Sequence, residues 1–171
     1  MKYYSVYTDQ GDTVMIAIRQ VEQSDVDLLS ALQKEAFQPL WEKYHDSHNP
    51  YLRGPQDITS RLDSPLFHYY CILKNNELVG GILYANSDTA SKEYYLQRLF
   101  IAPQHQHQGL ARMAILLCEK EFEEAQIFTV DFPEDLDKNR RCYISAGFRD
   151  TGIREEIGSG IVLARFEKRM R

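Results

Sequence analysis

The chain has 171 residues, of which 43% are hydrophobic and 26% are charged, and its formal net charge is −5. These values are typical of one globular domain, and they disfavour a nucleic-acid-binding protein, which needs a basic face. No apolar run reaches the roughly 18 to 20 residues of a membrane-spanning helix, and no signal peptide is evident. Cys71, Cys118 and Cys142 are widely spaced, so we expect free thiols in a cytoplasmic protein that binds neither nucleic acid nor membrane.

Apolar and polar periodicities predict alternating strands and helices, with no repeat or linker and hence one domain over residues 1–171. In chain order, the predicted elements are an extra strand or arm over 1–13, a strand over 15–21, a helix between Ser24 and Pro39, a loop or broken helix over 41–55, a helix over 56–62, strands over 67–73, 78–84 and 94–102, a helix over 108–125, a strand over 127–132, a helix over 137–146, and strands over 148–157 and 161–167.

Local signals set several of these boundaries. Ser24 is expected to cap the first helix, Pro39 to end it, and Gly147 to end the last one. The apolar stripe of the first helix consists of Leu28, Leu29, Leu32 and Phe37. Residues 74–77 have the composition of a hairpin turn. The order of elements indicates a mixed α/β sheet with helices on its faces.

The stretch from Leu99 to Ala111 carries the strongest chemical signal. A buried strand ends at Pro103, a polar loop follows, and an amphipathic helix begins. The first turn of a helix has backbone N–H groups without internal partners, and its dipole adds partial positive charge. Gly109 lets the backbone approach a ligand closely, since it has no Cβ. The stretch therefore predicts a phosphate or pyrophosphate site.

Two motifs resemble those of the GNAT acetyltransferases. Residues 106–111, Gln-His-Gln-Gly-Leu-Ala, are similar to the family signature Q/R-x-x-G-x-G/A, and residues 143–148 are similar to its Y-x-x-x-G-F pattern. The motifs together span roughly residues 94–150, and the order of elements agrees from Met15 onward. The resemblance implies a mostly antiparallel sheet of about seven strands with a parallel splayed pair, helices on both faces, and an N-acetyltransferase that uses acetyl-CoA without a metal.

The resemblance also implies roles for individual residues. In the family, loop amides hold the coenzyme pyrophosphate, the preceding strand pairs with the pantetheine arm, and the tyrosine protonates the departing thiolate. Tyr143 is therefore the expected catalytic acid, which suits a hydroxyl that is protonated at neutral pH. The expected coenzyme-binding residues are Leu99, Phe100, Ile101, Gln106, His107, Gln108, Gly109, Leu110, Ala111 and Asn139.

One position departs from the family pattern. Many relatives have an asparagine seven residues before the tyrosine, where this chain has Leu136. Asn139 lies one helical turn before Tyr143, so it either replaces that asparagine or is a surface residue.

The acceptor is less well defined by the sequence. Trp41 and Tyr44 lie in a segment that commonly forms a wall of the acceptor pocket in the family, so they either contact the acceptor or form a satellite hydrophobic cluster under a long loop. Asp131 ends a strand where a proton-accepting carboxylate could lie. The acidic run 134–137 either attracts a cation or is a solvated helix start. His105 and His107 have no metal ligands at suitable spacing. We expect a small-molecule primary amine as acceptor; a protein or peptide amine, a non-catalytic coenzyme A sensor and a homodimer stay open.

Overall fold

The computed structural model describes residues 2–7, by their backbone, and residues 13–171; the predicted end of the N-terminal arm at Gly11 and Asp12 lies outside this range. Four helices are present in the described part: α1 (Val26–Tyr44), α2 (Pro55–Leu62), α3 (Leu110–Glu119) and α4 (Asp137–Ser145). The strands are β1 (Lys2–Tyr7), β2 (Thr13–Gln20), β3 (Phe67–Lys74), β4 (Glu77–Ala85), β5 (Glu93–Ile101), β6 (Ile127–Pro133), β7 (Arg149–Glu156) and β8 (Val162–Arg169).

The strands form one sheet in the order β1-β2-β3-β4-β5-β6-β8-β7, and β1 extends the expected core sheet as an added edge strand. Every neighbouring pair is antiparallel except β5 and β6. That parallel pair is in register only from Glu93–Ile127 to Tyr95–Thr129. Beyond Tyr95, β5 pairs only with β4, and β6 pairs only with β8. The two strands therefore splay apart, which confirms the predicted fold class.

Each face of the sheet carries its own hydrophobic core. Helices α1 and α2 cover one face, where Leu29 and Ile58 are fully buried. Helix α3 covers the other face through Ala114 and Ile115, and α4 adds Tyr143 to that core. Because α1 and α3 lie on opposite faces, the splay between β5 and β6 can be approached from two sides.

A buried polar network joins α1 and α2 to β5. The Arg98 guanidinium donates to Asp57 Oδ2 at 2.8 Å and to Gln33 Oε1 at 2.9 Å. Arg61 donates to the other oxygen of Asp57 at 2.6 Å, and the Tyr69 hydroxyl donates to Gln33. Burial alone would raise the pKa of Asp57, but the hydrogen bonds and charges of the two arginines outweigh burial and lower it. The network fixes both helices against β5.

The prediction that Pro39 ends the first helix is wrong, since α1 continues to Tyr44. A proline inside a helix removes one main-chain hydrogen bond and costs about 3 kcal/mol. Tertiary contacts stabilise the last turn nonetheless: the Trp41 ring lies 5.1 Å from that of Tyr51, and His45 N–H donates to the Trp41 carbonyl. Packing of the aromatic residues thus outweighs the local preference.

The ends of two helices also differ from the prediction. A 3-10 turn over Gln23–Asp25 precedes α1, and Glu22 forms a reciprocal cap with that turn, so Ser24 is not the cap. Leu28 is 54% exposed, because the buried stripe runs through its neighbour Leu29. Helix α3 ends at Glu119 rather than near residue 125. Residues 122 and 125 remain buried after the helix ends, which explains why the apolar periodicity misled the prediction.

Candidate active site

A cleft of about 640 Å³ lies at the splay of β5 and β6. Its walls are the end of β5, the loop leading to α3, the first turn of α3, the middle of α1 and the inner side of α4. Among the predicted site residues, Leu99, Phe100, Ile101, Gln106, His107, Gly109, Leu110, Ala111, Asn139 and Tyr143 line it. The cleft therefore brings the two sequence motifs together.

The loop before α3 leaves its backbone donors without acceptors in the protein. His107 and Gly109 both have left-handed backbone conformations, with φ of 62° and 76°. None of the backbone N–H groups from His107 to Arg112 has a hydrogen-bond acceptor among the residues that the structure describes. Free donors at a helix N-terminus, together with the helix dipole, form an anion site.

Gly109 is required here for its backbone conformation. A Cβ added at this position would meet nothing within 4 Å, so space in the protein does not demand glycine. Glycine is needed because its φ of 76° is left-handed, and residues with a Cβ rarely adopt that conformation. The same open space leaves room for a ligand next to the backbone.

The two glutamines of the first motif have different contacts. The Gln106 side chain donates to the Ile101 carbonyl at 2.9 Å and accepts from Lys138 Nζ at 2.8 Å, so it ties the loop to β5 and to α4. The Gln108 side chain accepts from Lys74 Nζ at 2.6 Å and does not line the cleft. Of the ten residues expected to bind the coenzyme, Gln108 is the one that lies outside the cleft lining.

Tyr143 lies in the inner face of α4 with its ring packed between two phenylalanines. The ring centroids of Phe132 and Phe148 lie 5.1 and 5.9 Å away. The hydroxyl has no hydrogen-bond partner within the described part of the chain. Burial raises the pKa of Tyr143 well above its ordinary value, so the hydroxyl remains a proton donor at neutral pH.

Asn139 and Leu136 both face the cleft from the start of α4. The Asn139 side chain makes no hydrogen bond to any described residue, which leaves its amide available. Cys142 lines the same wall, and burial raises the pKa of its thiol, so it stays protonated. The wall offers polar groups near Tyr143 without a nucleophile.

The structure does not bring the three predicted acceptor contacts into the cleft lining. The Trp41 ring packs on Tyr51, and the Tyr44 hydroxyl donates to Asp135. Asp131 is held by Arg165 through two hydrogen bonds of 2.7 and 2.8 Å.

The cleft is lined by cations that the sequence interpretation did not single out as a group. Lys138 and Arg112 belong to two different helices, and Arg141 is exposed beside them. No Asp or Glu lines the cleft in the described part of the chain, although the whole chain is acidic. Nor do the described residues contain a cluster of three metal-ligating side chains. The electrostatics of the cleft favour an anionic ligand.

A splayed sheet, free backbone donors at a helix N-terminus and a buried tyrosine in one cleft are the features expected of an acyltransferase. Residues 27–148 match the model of the acetyltransferase (GNAT) family, and the chain belongs to that family. It is therefore an N-acetyltransferase that uses acetyl-CoA. No curated protein sequence matches the chain. No helix of the described residues is long and apolar enough to span a membrane.

Solved structures with the same fold include enzymes with different acceptors. Spermidine N-acetyltransferase from Vibrio cholerae, in complex with CoA and spermine, is 15% identical with a TM-score of 0.73 and covers 89% of this chain and 94% of its own. The ribosomal-protein-S18-alanine N-acetyltransferase from Escherichia coli is 15% identical, with a TM-score of 0.70 and coverage of 91% and 94%. The paia N-acetyltransferase from Thermoplasma acidophilum, in complex with coenzyme A, is 15% identical, with a TM-score of 0.68 and coverage of 91% and 99%. At these identities the likeness shows the fold alone.

Proposed function

We propose that this chain transfers an acetyl group from acetyl-CoA directly to a primary amine of a small molecule. One observation carries the proposal: the segment from His107 to Arg112, with its free backbone N–H groups, and Tyr143, with its unpartnered hydroxyl, contribute residues to the same cleft. An anion site and a proton donor are the two groups that thioester delivery and thiolate departure require.

The coenzyme diphosphate binds at the first turn of α3. Its backbone N–H groups supply directed donors, and the helix dipole supplies partial positive charge. Lys138 and Arg141 add full charges from α4, on the opposite wall. These contacts fix the coenzyme at one end of the cleft.

The pantetheine arm runs along β5. On the side facing β6, the backbone of Leu99, Phe100 and Ile101 has no strand partner, because β5 and β6 have already diverged. An extended ligand with amide groups can pair with such an edge as an added strand does. This places the thioester deep in the splay, near Tyr143.

The transfer step follows from this placement. The acceptor nitrogen forms a bond to the thioester carbonyl carbon, and the carbon–sulfur bond breaks. Tyr143 gives its hydroxyl proton to the departing sulfur, and the tyrosinate then recovers the proton that the nitrogen has lost. Positioning of the two reactants supplies most of the rate gain.

A small acceptor is supported by the cleft and by its relatives. The cleft of about 640 Å³ is in the range of small-ligand sites, and the acceptor shares it with the acetyl-bearing end of the coenzyme. Ala36, Phe37 and Leu40 of α1 give the acceptor side an apolar wall. The similar enzyme from Vibrio cholerae is named for spermidine, which is a small amine.

The proposal is tested by following thiol release from acetyl-CoA with a panel of acceptors: butylamine, diaminobutane, spermidine, an aminoglycoside and a peptide with a free N-terminal alanine. Release with at least one of the small amines supports the proposal. Release with the peptide alone would replace it with a protein acetyltransferase. Coenzyme A binding without release for any acceptor would indicate a non-catalytic sensor.

A further inference from the structure

The C-terminal turn of α1 contacts the loop before α4 through a single carboxylate. Lys43 Nζ lies 2.8 Å from Asp135 Oδ2, and the Tyr44 hydroxyl donates to Asp135 Oδ1. The same ammonium lies 4.8 Å from the centroid of the Tyr44 ring. We call the Asp135 carboxylate and the Tyr44 ring the rim site; its present occupant is the ammonium of Lys43.

The rim site borders the cleft on the side of α1. Pro39 and Leu40, one helical turn before Lys43 and Tyr44, line the cleft, and so does Leu136, which follows Asp135. The free backbone donors lie at α3, on the opposite face of the sheet. Coenzyme and acceptor can therefore enter from opposite faces, with the rim site on the acceptor's side.

The chemistry of the rim site is that of ammonium recognition. A carboxylate supplies charge, and an aromatic face attracts a cation. The hydrogen bonds from Lys43 and Tyr44 lower the pKa of Asp135, so it stays ionised at neutral pH. No carboxylate of the described residues lines the cleft itself, and Asp135, next to the lining residue Leu136, supplies a negative charge beside it.

The occupant is easily displaced. The side chains of Lys43 and Asp135 are 48% and 56% exposed, and water screens exposed ion pairs so strongly that they contribute little to stability. A ligand that brings its own ammonium can replace that of Lys43 without leaving any group buried and unpaired.

We propose that the rim site binds a second ammonium group of the acceptor, and that Lys43 competes for it as a tethered ammonium. This deepens the proposed function, on which it rests: the acceptor is a diamine or polyamine, whose reacting amine enters the cleft while its other amine replaces Lys43 at Asp135. Asp135 then determines specificity between diamines and monoamines.

The two members of this ion pair give opposite results when neutralised. Lys43→Gln removes the competitor and is expected to lower KM for diaminobutane by about fivefold, whereas Asp135→Asn is expected to raise it by about fivefold. KM for butylamine, which has no second amine, and KM for acetyl-CoA should stay within about twofold. Glu134→Gln is the matched control, because it removes the neighbouring carboxylate, which pairs with Arg154 instead.

A binding measurement separates this inference from the proposed function. Calorimetry of diaminobutane with the coenzyme A complex should show tighter binding by Lys43→Gln and weaker binding by Asp135→Asn, whether or not acetyl is transferred. Changes in the same direction for both variants, or equal changes for diaminobutane and butylamine, would overturn the rim site. A wild-type protein that acetylates no small amine would overturn the proposed function, and with it the acceptor assignment, even if diaminobutane binds at Asp135. Thermal unfolding confirms that each variant is folded.

Discussion

Tyr143 packs in the core and is the proposed proton donor, and removal of its hydroxyl oxygen separates these two roles. The ring packs against Phe132 and Phe148, the residue lines the cleft, and its hydroxyl has no hydrogen-bond partner in the described chain. Tyr143→Phe keeps the packing and removes the donor. We expect kcat to fall by about a hundredfold, the lower range for general acid catalysis, and the dissociation constant of coenzyme A to stay unchanged.

Tyr84→Phe is the matched control for that substitution. Tyr84 is also fully buried, and its hydroxyl has no hydrogen-bond partner in the described residues, but it lies outside the cleft. Removing it should leave both kcat and the free energy of unfolding nearly unchanged. Steady-state kinetics that show equal losses for the two variants, or no loss for Tyr143→Phe, would remove Tyr143 from the mechanism.

A comparison of alanine substitutions at Gly109 and Gly158 distinguishes the effect of backbone strain from an effect on ligand binding. Both have a left-handed φ, 76° and 98°, and neither has an atom within 4 Å of an added Cβ. Alanine at either position should lower the free energy of unfolding by about 1 kcal/mol. Only Gly109→Ala should weaken coenzyme A binding in calorimetry, since only its Cβ enters the cleft. Equal affinities for the two variants would show that the backbone at residue 109 does not approach the coenzyme.

At the scale of elements, the network around Asp57 links α1 and α2 to β5. Asp57→Asn leaves Arg98 and Arg61 without a counter-charge, and we expect the free energy of unfolding to fall by about 3 kcal/mol near pH 7. The lowered pKa of Asp57 sets the pH dependence. Its contribution is complete above the unfolded-state pKa of about 4 and is lost as the pH falls through the lower folded-state pKa.

Urea unfolding of Asp57→Asn and of the wild-type protein, near pH 7 and near pH 3, measures this effect. The difference between the two proteins should shrink at the lower pH, because protonation of Asp57 has the same effect as its replacement. A difference that does not change with pH would mean that the carboxylate charge does not stabilise the docking of these helices.

Elements defined by local signals could be predicted from the sequence. The hairpin turn at Asn75 and Asn76, both with positive φ, and the end of α4 at Gly147 lie where the residue types indicate. The continuation of α1 through Pro39 could not, because it depends on aromatic packing between distant residues. The splay of β5 and β6 was implied by the family resemblance, since no local pattern states which strands pair.

Some residues of the candidate site could likewise be predicted from local motifs, and others could not. The loop before α3 and Tyr143 lie within short motifs, and both are found at the cleft. Lys138 and Arg112 come from helices whose neighbours are set only by tertiary packing, so no spacing in the sequence reveals them. Asp131 carries the residue type expected of a proton acceptor, yet Arg165, from another strand, binds its carboxylate.

At the scale of the whole molecule, the charge of the cleft is opposite in sign to the net charge of the chain. The chain has a formal net charge of −5, while the cleft is lined by arginine, lysine and histidine. An acidic exterior with a cationic cleft attracts an anionic coenzyme to one place and leaves the rim at Asp135 for a cationic acceptor. If the proposed function holds, this difference in charge directs the two reactants to different parts of the site.

The amide signals of His107 to Arg112 in a heteronuclear NMR titration with coenzyme A test the central claim most directly. If these backbone groups bind the diphosphate, their signals move more than those of β8 and of the C-terminal half of α3, and they stop moving at saturation. Unmoved signals from residues 107–112 in a protein saturated with coenzyme A would contradict the account.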